Sequence, residues 1–400
     1  MHALTYSWLA GTESYLSPTK DLKGFASLSQ GQKTAVKSAL DYLSTLVNVT
    51  FTEANSPASA NINFGTNDQG TTSAGYATYP NGNVGNPSKL MLANNDTSGT
   101  LNSAANLGTK GGYGWETLIH EMGHVMGLKH PGNYNAGGGG TSGPYLPGSF
   151  DNRRMSIMSY KNPAASNQIT VTGTQSTGRY SYVMSAVNPT TYGVFDIAAM
   201  QYLYGANTST TTSDLNVTDE FFLNSDGSQR QADYRTLWAP NGVKLDASST
   251  TRSNIFDLRE GAYSSIAIKT PADLKASIKD SLKSQSFDET TAANISNTIF
   301  KKVGSKLYNG KNNLGLAYGS QYKEIIGGSG NDSFYAGSYS TNVDGAGGTN
   351  DTLYLAGKAN NWIIDQAAGT ATNKLNNAVI TYTNIEKIAY YSATSSVIHA

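Results

Sequence analysis

Three of the chain's five histidines lie in the run His120-Glu121-Met122-Gly123-His124-Val125-Met126-Gly127-Leu128-Lys129-His130. On a helix, His120 and His124 are four residues apart and project from one face, close enough to bind a single ion. Gly127 lets the chain leave the helix and turn, because glycine adopts a left-handed conformation without steric cost. That turn brings His130 back as a third nitrogen ligand. Three imidazoles suit zinc and leave one position for water, so the run predicts a catalytic zinc site.

Glu121 lies beside the two helical histidines, where a general base acting on that water is expected. A bare H-E-x-x-H match also occurs in ordinary amphipathic helices that bind no metal. The longer pattern H-E-x-x-H-x-x-G-x-x-H fixes five positions and is far more specific. The sequence therefore favours a hydrolytic zinc enzyme over a helix with unrelated surface histidines.

A second motif, Ser156-Ile157-Met158-Ser159-Tyr160, follows the histidines. The extended zinc pattern predicts a methionine turn beneath the ligand rings, and Met158 is the candidate. The two motifs, with Pro131 directly after the third histidine and a tyrosine ending the turn, resemble the serralysin branch of the metzincins. This resemblance implies that Tyr160 lies near the zinc as a further ligand and stabilises the oxyanion of the reaction.

The resemblance extends, more weakly, over most of the chain. Residues 4–8 are similar to the family's opening strand, and residues 196–205 to the helix that closes its catalytic domain. It implies an α+β catalytic domain at residues 1–207, with a twisted mixed sheet and a zinc helix. An all-β sandwich or β-roll, serving secretion or stability, is expected at residues 208–400.

Hydrophobic patterning adds the local elements. A helix is predicted at residues 28–46 with Ser29 as its cap, and strands at 47–53, 60–64 and 89–93. The Gly/Asn/Pro-rich stretches 65–88 and 131–148 are predicted loops, and residues 271–285 a helix. In metzincins the edge strand before the zinc helix pairs with extended substrate. The resemblance makes the candidates for that role Leu90, Met91, Leu92 and Ala93.

Residues 327–335 fit the G-G-x-G-x-D-x-U-x nonapeptide of calcium-binding β-rolls, with Phe334 pointing inward. The next repeat is imperfect, because Thr349 occupies a glycine position and a β-branched residue resists positive φ. The C-terminal part therefore resembles a degenerate RTX-type β-roll, and we expect it to bind few calcium ions or none. The candidate calcium residues are Gly328, Gly330, Asp332 and Asp351.

The bulk composition excludes several classes of protein. Lys plus Arg equals Asp plus Glu, 28 each, so no net field points to nucleic acid or an anionic membrane. The chain has no cysteine, which excludes disulfides and thiol catalysis, and no apolar run long enough for a membrane span. No signal peptide is visible at the N-terminus, as the resemblance implies for an extracellular protein exported by a type I secretion route. Residues 395–400 are only loosely similar to a secretion tail.

These observations predict a secreted zinc-dependent endopeptidase that hydrolyses extended protein substrates through a metal-activated water. The resemblance also implies a monomer and a small periplasmic protease inhibitor as a partner. Two alternatives stay open: a host-targeted protease toxin of narrow specificity, and a non-catalytic, zinc-stabilised surface or adhesion protein. Glu121 argues against the second alternative, because a structural zinc site is usually closed by a fourth ligand and needs no base.

Overall fold

The computed structural model describes residues 2–71, 73–80, 87–94, 102–135, 139–220, 222–223, 229–230 and 233–392. The chain divides into two compact units, Met1–Lys161 with Asn188–Thr210 and Asn162–Val187 with Thr211–Ala400. The chain passes from the first unit to the second for the last time after Thr210, three residues beyond the predicted boundary at residue 207. The predicted first domain also contained residues 162–187, which the structure assigns to the second unit. No helix in the described part of the chain combines the length and apolarity that a bilayer crossing requires.

The first unit is built on a five-stranded sheet of order β2-β1-β3-β5-β4. Its strands are β1 His2–Trp8, β2 Val49–Glu53, β3 Ile62–Asn67, β4 Gly75–Ala77 and β5 Ser88–Ala93. All neighbours are parallel except β4, which runs antiparallel to β5. This arrangement confirms the predicted mixed sheet, with one short antiparallel strand at its edge.

Four helices accompany this sheet. They are α1 Gln30–Leu46, α2 Ala104–Gly108, α3 Tyr113–Val125 and α4 Val194–Tyr204. The predicted cap is confirmed: Ser29 Oγ accepts from the Gln32 N–H, and the Gln32 side chain accepts from the Ser29 N–H. This reciprocal pair satisfies two backbone donors that the first helical turn leaves free. The buried face of α1 carries Ala35, Val36, Ala39, Leu40, Leu43 and Leu46.

The predicted edge strand is wrong. Leu90, Met91, Leu92 and Ala93 lie in β5, which pairs with β3 on one side and β4 on the other. All four side chains are buried, as expected for an interior strand. The edge strand beside β5 is β4, whose three residues lie within the polar stretch predicted as a loop. Too short to show an alternating pattern, it exists because β5 supplies its hydrogen-bond partners.

The second unit contains two stacks of parallel strands around one core. The first stack has the order β8-β12-β16-β18-β22, and the second β13-β17-β19-β23. Their bounds are β8 Leu215–Thr218, β12 Val243–Ser249, β13 Ile255–Asp257, β16 Tyr322–Ile326, β17 Ser333–Tyr335, β18 Thr341–Asp344, β19 Thr352–Ala356, β22 Val379–Thr383 and β23 Lys387–Tyr391. Inward side chains of both stacks share one buried cluster, in which Phe256 and Phe334 stack at 4.9 Å. This is the predicted β-roll, and Phe334 points inward as expected.

Shorter strands complete the sheets of this unit. They are β9 Phe222–Leu223, β10 Gln229–Arg230, β11 Arg235–Leu237, β14 Tyr263–Ser264, β15 Leu314–Leu316, β20 Trp362–Asp365 and β21 Thr370–Asn373. The secretion-tail residues 395–400 lie outside the described residues.

A hairpin and two helices form a second core in this unit. The hairpin consists of β6 Asn167–Thr174 and β7 Arg179–Ala186, and the helices are α5 Pro271–Lys283 and α6 Glu289–Val303. Helix α5 confirms the predicted helix, whereas α6 and the hairpin are missed. Because Val171 and α5–α6 share a buried cluster, residues 162–187 fold with the second unit.

A ladder of polar side chains runs across the turns before β13, β17, β19 and β23. Asp332 Oδ1 accepts from the Asn254 backbone N–H at 2.7 Å, and its Oδ2 accepts from the Gly328 N–H at 2.7 Å. Asp351 Oδ1 accepts from the Asp332 N–H at 2.7 Å, and Glu386 Oε2 from the Asp351 N–H at 2.7 Å. Each turn is therefore tied to the next by a carboxylate–amide hydrogen bond.

This ladder bears on the predicted calcium residues. Gly328 and Gly330 have no room for a side chain, because a Cβ would lie 2.2 Å from Thr250 Oγ1 and 2.6 Å from Arg252 C, respectively. Asp332 and Asp351 do lie in adjacent turns, but their carboxylates already accept backbone N–H groups. Among the described residues, three metal-ligating side chains converge only in the first unit. The expectation that the β-roll binds few calcium ions or none stays a prediction.

We predict that Asp332→Asn lowers the free energy of unfolding of the second unit by about 1–3 kcal/mol, because one amide N–H then faces another donor. Thermal or urea unfolding measures this change, with the exposed Asp280→Asn as the matched control. Excess calcium should leave the wild-type midpoint unchanged. If calcium stabilised the wild type but not Asp332→Asn, this carboxylate would be a calcium ligand and the prediction would fail.

Candidate metal centre

Helix α3 and the turn after it bring the three motif histidines together. Gly127 has φ +91°, and the Leu128 N–H donates to the Gly123 carbonyl, so the helix ends in the predicted glycine turn. Each imidazole Nδ1 lies against a backbone carbonyl: His120 against Ile157 at 2.8 Å, His124 against Leu128 at 2.8 Å, and His130 against Tyr134 at 3.2 Å. Because a carbonyl can only accept, each ring carries its proton on Nδ1 and a lone pair on Nε2.

The three Nε2 atoms face one another. His130 Nε2 lies 3.3 Å from His120 Nε2 and 3.1 Å from His124 Nε2. In a tetrahedral site with zinc–nitrogen bonds of 2.0–2.1 Å, neighbouring nitrogens lie about 3.3 Å apart. Three lone pairs at these distances repel one another unless a cation lies between them. The donor set and its spacing therefore fit zinc, and these three residues would hold it.

Burial keeps these rings in the form that binds metal. It lowers the pKa of His120 to about 3 and that of His124 to about 4, and it also lowers the pKa of His130. All three imidazoles are thus neutral at pH 7. Neutral imidazole is the protonation state that can donate an Nε2 lone pair to a metal.

Glu121 follows His120 on α3 and is buried, with 7% of its surface exposed. Its Oε2 has no hydrogen-bond partner within the described ranges. Burial raises the pKa of Glu121 to about 8. A Cβ at Gly75 of β4 would lie 3.1 Å from Glu121 Cγ, so the edge strand passes directly against this side chain. A buried carboxyl without a partner is costly, which points to a functional reason for its presence.

Met158 lies under α3, as the motif predicts. It is buried, and a Cβ at Gly123 would lie only 2.5 Å from Met158 Sδ. The glycine between Glu121 and His124 thus leaves the space that the thioether fills.

Tyr160 lies next to the histidines with 42% of its surface exposed. Its ring centroid is 4.5 Å from that of His130 and 5.9 Å from that of His120. Tyr134 packs against it from another side, with centroids 5.1 Å apart. The structure therefore brings Tyr160 to the triad, whereas it places Leu90–Ala93 in the sheet interior and the calcium candidates in the other unit.

Comparisons with known proteins agree with this geometry. Residues 13–170 match the metallo-peptidase family M12. The chain is 30% identical over 331 residues to metallopeptidase AprA of Pseudomonas marginalis, covering 82% of this chain and 59% of that protein. It is 34% identical over 220 residues to serralysin G of Dickeya chrysanthemi, covering 53% and 41%. The chain therefore carries a match to the M12 metallo-peptidase domain and is similar to the serralysins. It spans between two fifths and three fifths of the length of these two relatives.

In this serralysin-like chain, Asp196 of α4 supports the methionine turn, a role that the sequence analysis missed. The buried carboxylate accepts from Ser156 Oγ and from the Ile157 N–H, each at 2.6 Å, and from the Gly193 N–H at 2.9 Å. The Ile157 carbonyl in turn holds His120. Burial raises the pKa of Asp196 to about 6, whereas the three hydrogen bonds that its carboxylate accepts act to lower that pKa. An acidic residue opening a helix was the only signal in the sequence.

Asp151 was also missed, because its partners lie 8 to 17 residues away in irregular segments, where no periodic pattern indicates a contact. Its Oδ1 accepts from Tyr134 Oη at 2.6 Å and from Ser159 Oγ at 2.7 Å, and Oδ2 pairs with Lys161 Nζ at 2.6 Å. Tyr134 supplies the carbonyl against His130, and Ser159 precedes Tyr160. One buried carboxylate therefore links the supports of the third histidine and of the tyrosine.

We predict that Asp196→Ala weakens zinc binding by about tenfold to a hundredfold, the range typical of lost outer partners of metal ligands. Asp196→Asn is the matched control, because its amide oxygen still accepts the Ile157 and Gly193 N–H groups. Competition with a chromogenic chelator measures the zinc dissociation constant. Equal affinities for the alanine variant and the wild type would show that the turn needs no such support.

Proposed function

We propose that the chain is a secreted zinc-dependent endopeptidase that hydrolyses peptide bonds of extended protein substrates. One observation carries this proposal: three histidine lone pairs converge beside the buried Glu121 on an open cleft, and Glu121 Oε2 has no hydrogen-bond partner among the described residues. A structural zinc site would have a fourth ligand at this position and no carboxyl without a partner. The non-catalytic alternative is therefore disfavoured.

Zinc at the three Nε2 atoms would supply Lewis-acid polarisation of the substrate carbonyl and a lowered pKa for a water. The residues of the chain do the remaining work. We assign the general-base role to Glu121, because the positive charge of zinc nearby would lower its pKa from about 8 and favour the carboxylate. That carboxylate would take a proton from water at Oε2 and pass it to the leaving amine. We assign to Tyr160 the donation of a hydrogen bond to the developing oxyanion. Tyr160 lines the same cleft as His120 and Glu121, which supports this role.

We propose β4 as the strand that binds the substrate main chain, in place of β5. Ala74 and Thr78 hydrogen-bond to β5 through the Ala93 N–H and the Lys89 carbonyl, respectively. Because orientation alternates along an antiparallel strand, the backbone groups of Gly75 and Ala77 point away from β5. Ala77 can thus donate and accept at the free edge. An extended peptide added there would pass the Glu121 side chain, which contacts Gly75.

Export, a monomeric state and a small periplasmic inhibitor belong to the same proposal. Their support is the similarity of the chain to the serralysins. Mass spectrometry of culture supernatant and cell pellet tests export, and light scattering of the purified chain tests the monomer.

We predict that Glu121→Gln retains zinc but loses proteolysis by at least about a hundredfold, the contribution typical of a general base. Casein hydrolysis with and without o-phenanthroline, together with metal analysis, measures both properties. The exposed Glu289→Gln serves as the matched control. Activity above a tenth of the wild-type rate, with zinc bound, would remove Glu121 from this role.

We predict that Ala77→Pro raises KM for long peptides by about threefold to tenfold, because it removes one outward N–H donor worth roughly 1 kcal/mol. The kcat value should change little, since this contact is made equally in the ground and transition states. Ala77→Val keeps the N–H and is the matched control. If both variants behaved alike, β4 would not be the substrate strand.

A further inference from the structure

The cleft that contains Glu121 and Tyr160 forms a pocket at the metal centre. Its walls are the first turns of α3, the segment leading into β4, and the residues around the methionine turn. Most of its lining is polar or aromatic, and it includes Tyr113, Glu116, Thr117, Arg153 and Ser159. A substrate side chain next to the scissile bond therefore meets polar groups here.

Glu116 and Arg153 supply two of the charged groups on this lining. Arg153 Nη1 lies 3.3 Å from Glu116 Oε1. The Glu116 side chain is 6% exposed, whereas that of Arg153 is 21% exposed. Of this pair, it is therefore mainly the guanidinium N–H donors of Arg153 that are accessible from the pocket, whereas the Glu116 carboxyl is more deeply buried.

The charge of this pair is unbalanced near neutral pH. Burial raises the pKa of Glu116 to about 7, although Arg153 acts to lower it. The raised pKa favours the neutral form of Glu116, whereas a guanidinium stays charged. Glu121, the other carboxyl on the lining, lies next to His120 and is assigned to the reaction. The buried Glu116 therefore neutralises the more exposed Arg153 only in part.

We infer that Arg153 determines specificity, and that the pocket selects a substrate side chain with a carboxylate, aspartate or glutamate, next to the scissile bond. This inference rests on the proposed endopeptidase function. A carboxylate can accept two N–H groups of the planar guanidinium in one geometry. An apolar side chain would cover the same donors without replacing their hydrogen bonds to water, which is unfavourable.

Matched, internally quenched peptides test this inference. One sequence is made with Glu, Gln, Leu or Lys on each side of the scissile bond, and mass spectrometry locates every cut. We expect kcat/KM to be about tenfold to a hundredfold higher for Glu than for Gln at one of the two positions, the range for a hydrogen bond to a charged group. Equal rates for Glu, Gln and Leu would overturn the inference while leaving the proposed function intact. Failure to cleave any peptide would instead count against the proposed function.

A double variant, Arg153→Leu with Glu116→Leu, tests the residue assignment without leaving either charge buried alone. We expect it to lose the Glu preference and to cleave the Leu peptide at least as fast as the wild type. Arg153→Lys keeps the charge without the planar fork and should retain only part of the preference. Arg179→Leu, an exposed arginine in β7, is the matched control. An unchanged Glu preference in a folded, zinc-loaded double variant would overturn the inference.

Discussion

The first unit depends on one electrostatic constraint: three neutral imidazoles direct their Nε2 lone pairs at a common point, with separations of 3.1 and 3.3 Å. This arrangement is unfavourable without a cation, so the protein must enforce it. Each Nδ1–H is fixed by a backbone carbonyl, and the three carbonyls come from different segments, at Leu128, Tyr134 and Ile157. Backbone acceptors cannot rotate away as side chains can. The ligand geometry is therefore set by the path of the main chain.

Two buried carboxylates hold that path. Asp196 binds the turn that carries the Ile157 carbonyl, and Asp151 binds Tyr134, whose carbonyl faces His130. Each accepts several hydrogen bonds, which offsets the cost of burying a charge. Burial raises the pKa of each carboxyl, and the hydrogen bonds that it accepts lower it. Burial prevails at Asp196, whose pKa is raised. At Asp151, Lys161 and two hydroxyl donors prevail, so its pKa is lowered. A site with a fixed metal geometry is thus supported by polar contacts well beyond its ligands.

Features that consecutive residues determine could be predicted from the sequence, whereas contacts between separate segments of the chain were missed. The spacing of His120, His124 and His130 identified the metal centre, because helical periodicity and a glycine turn are properties of consecutive residues. The β-roll was found from one nonapeptide for the same reason. Strand β4 has no comparable pattern, because it is only three residues long. The hairpin β6–β7 does alternate, with Tyr180, Tyr182 and Met184 on its packed face, but the helices that cover this face come about 100 residues later. Supporting residues such as Asp151 are equally invisible, because their partners are assembled by the fold.

A comparison of buried carboxyl groups separates structural from reactive ones. Asp151, Asp196 and Asp332 all bind donors through both oxygens, whether to hold the metal centre or to tie turns of the β-roll together. Glu121 is also buried, yet its Oε2 has no partner in the described part of the chain. Leaving such an atom unbonded costs roughly 1–3 kcal/mol. Because Asp233 Oδ1 also lacks a partner among the described residues, an unbonded oxygen does not by itself mark a reactive group. Glu121 differs because it lines the cleft beside His120, where a substrate and its water can supply the partner.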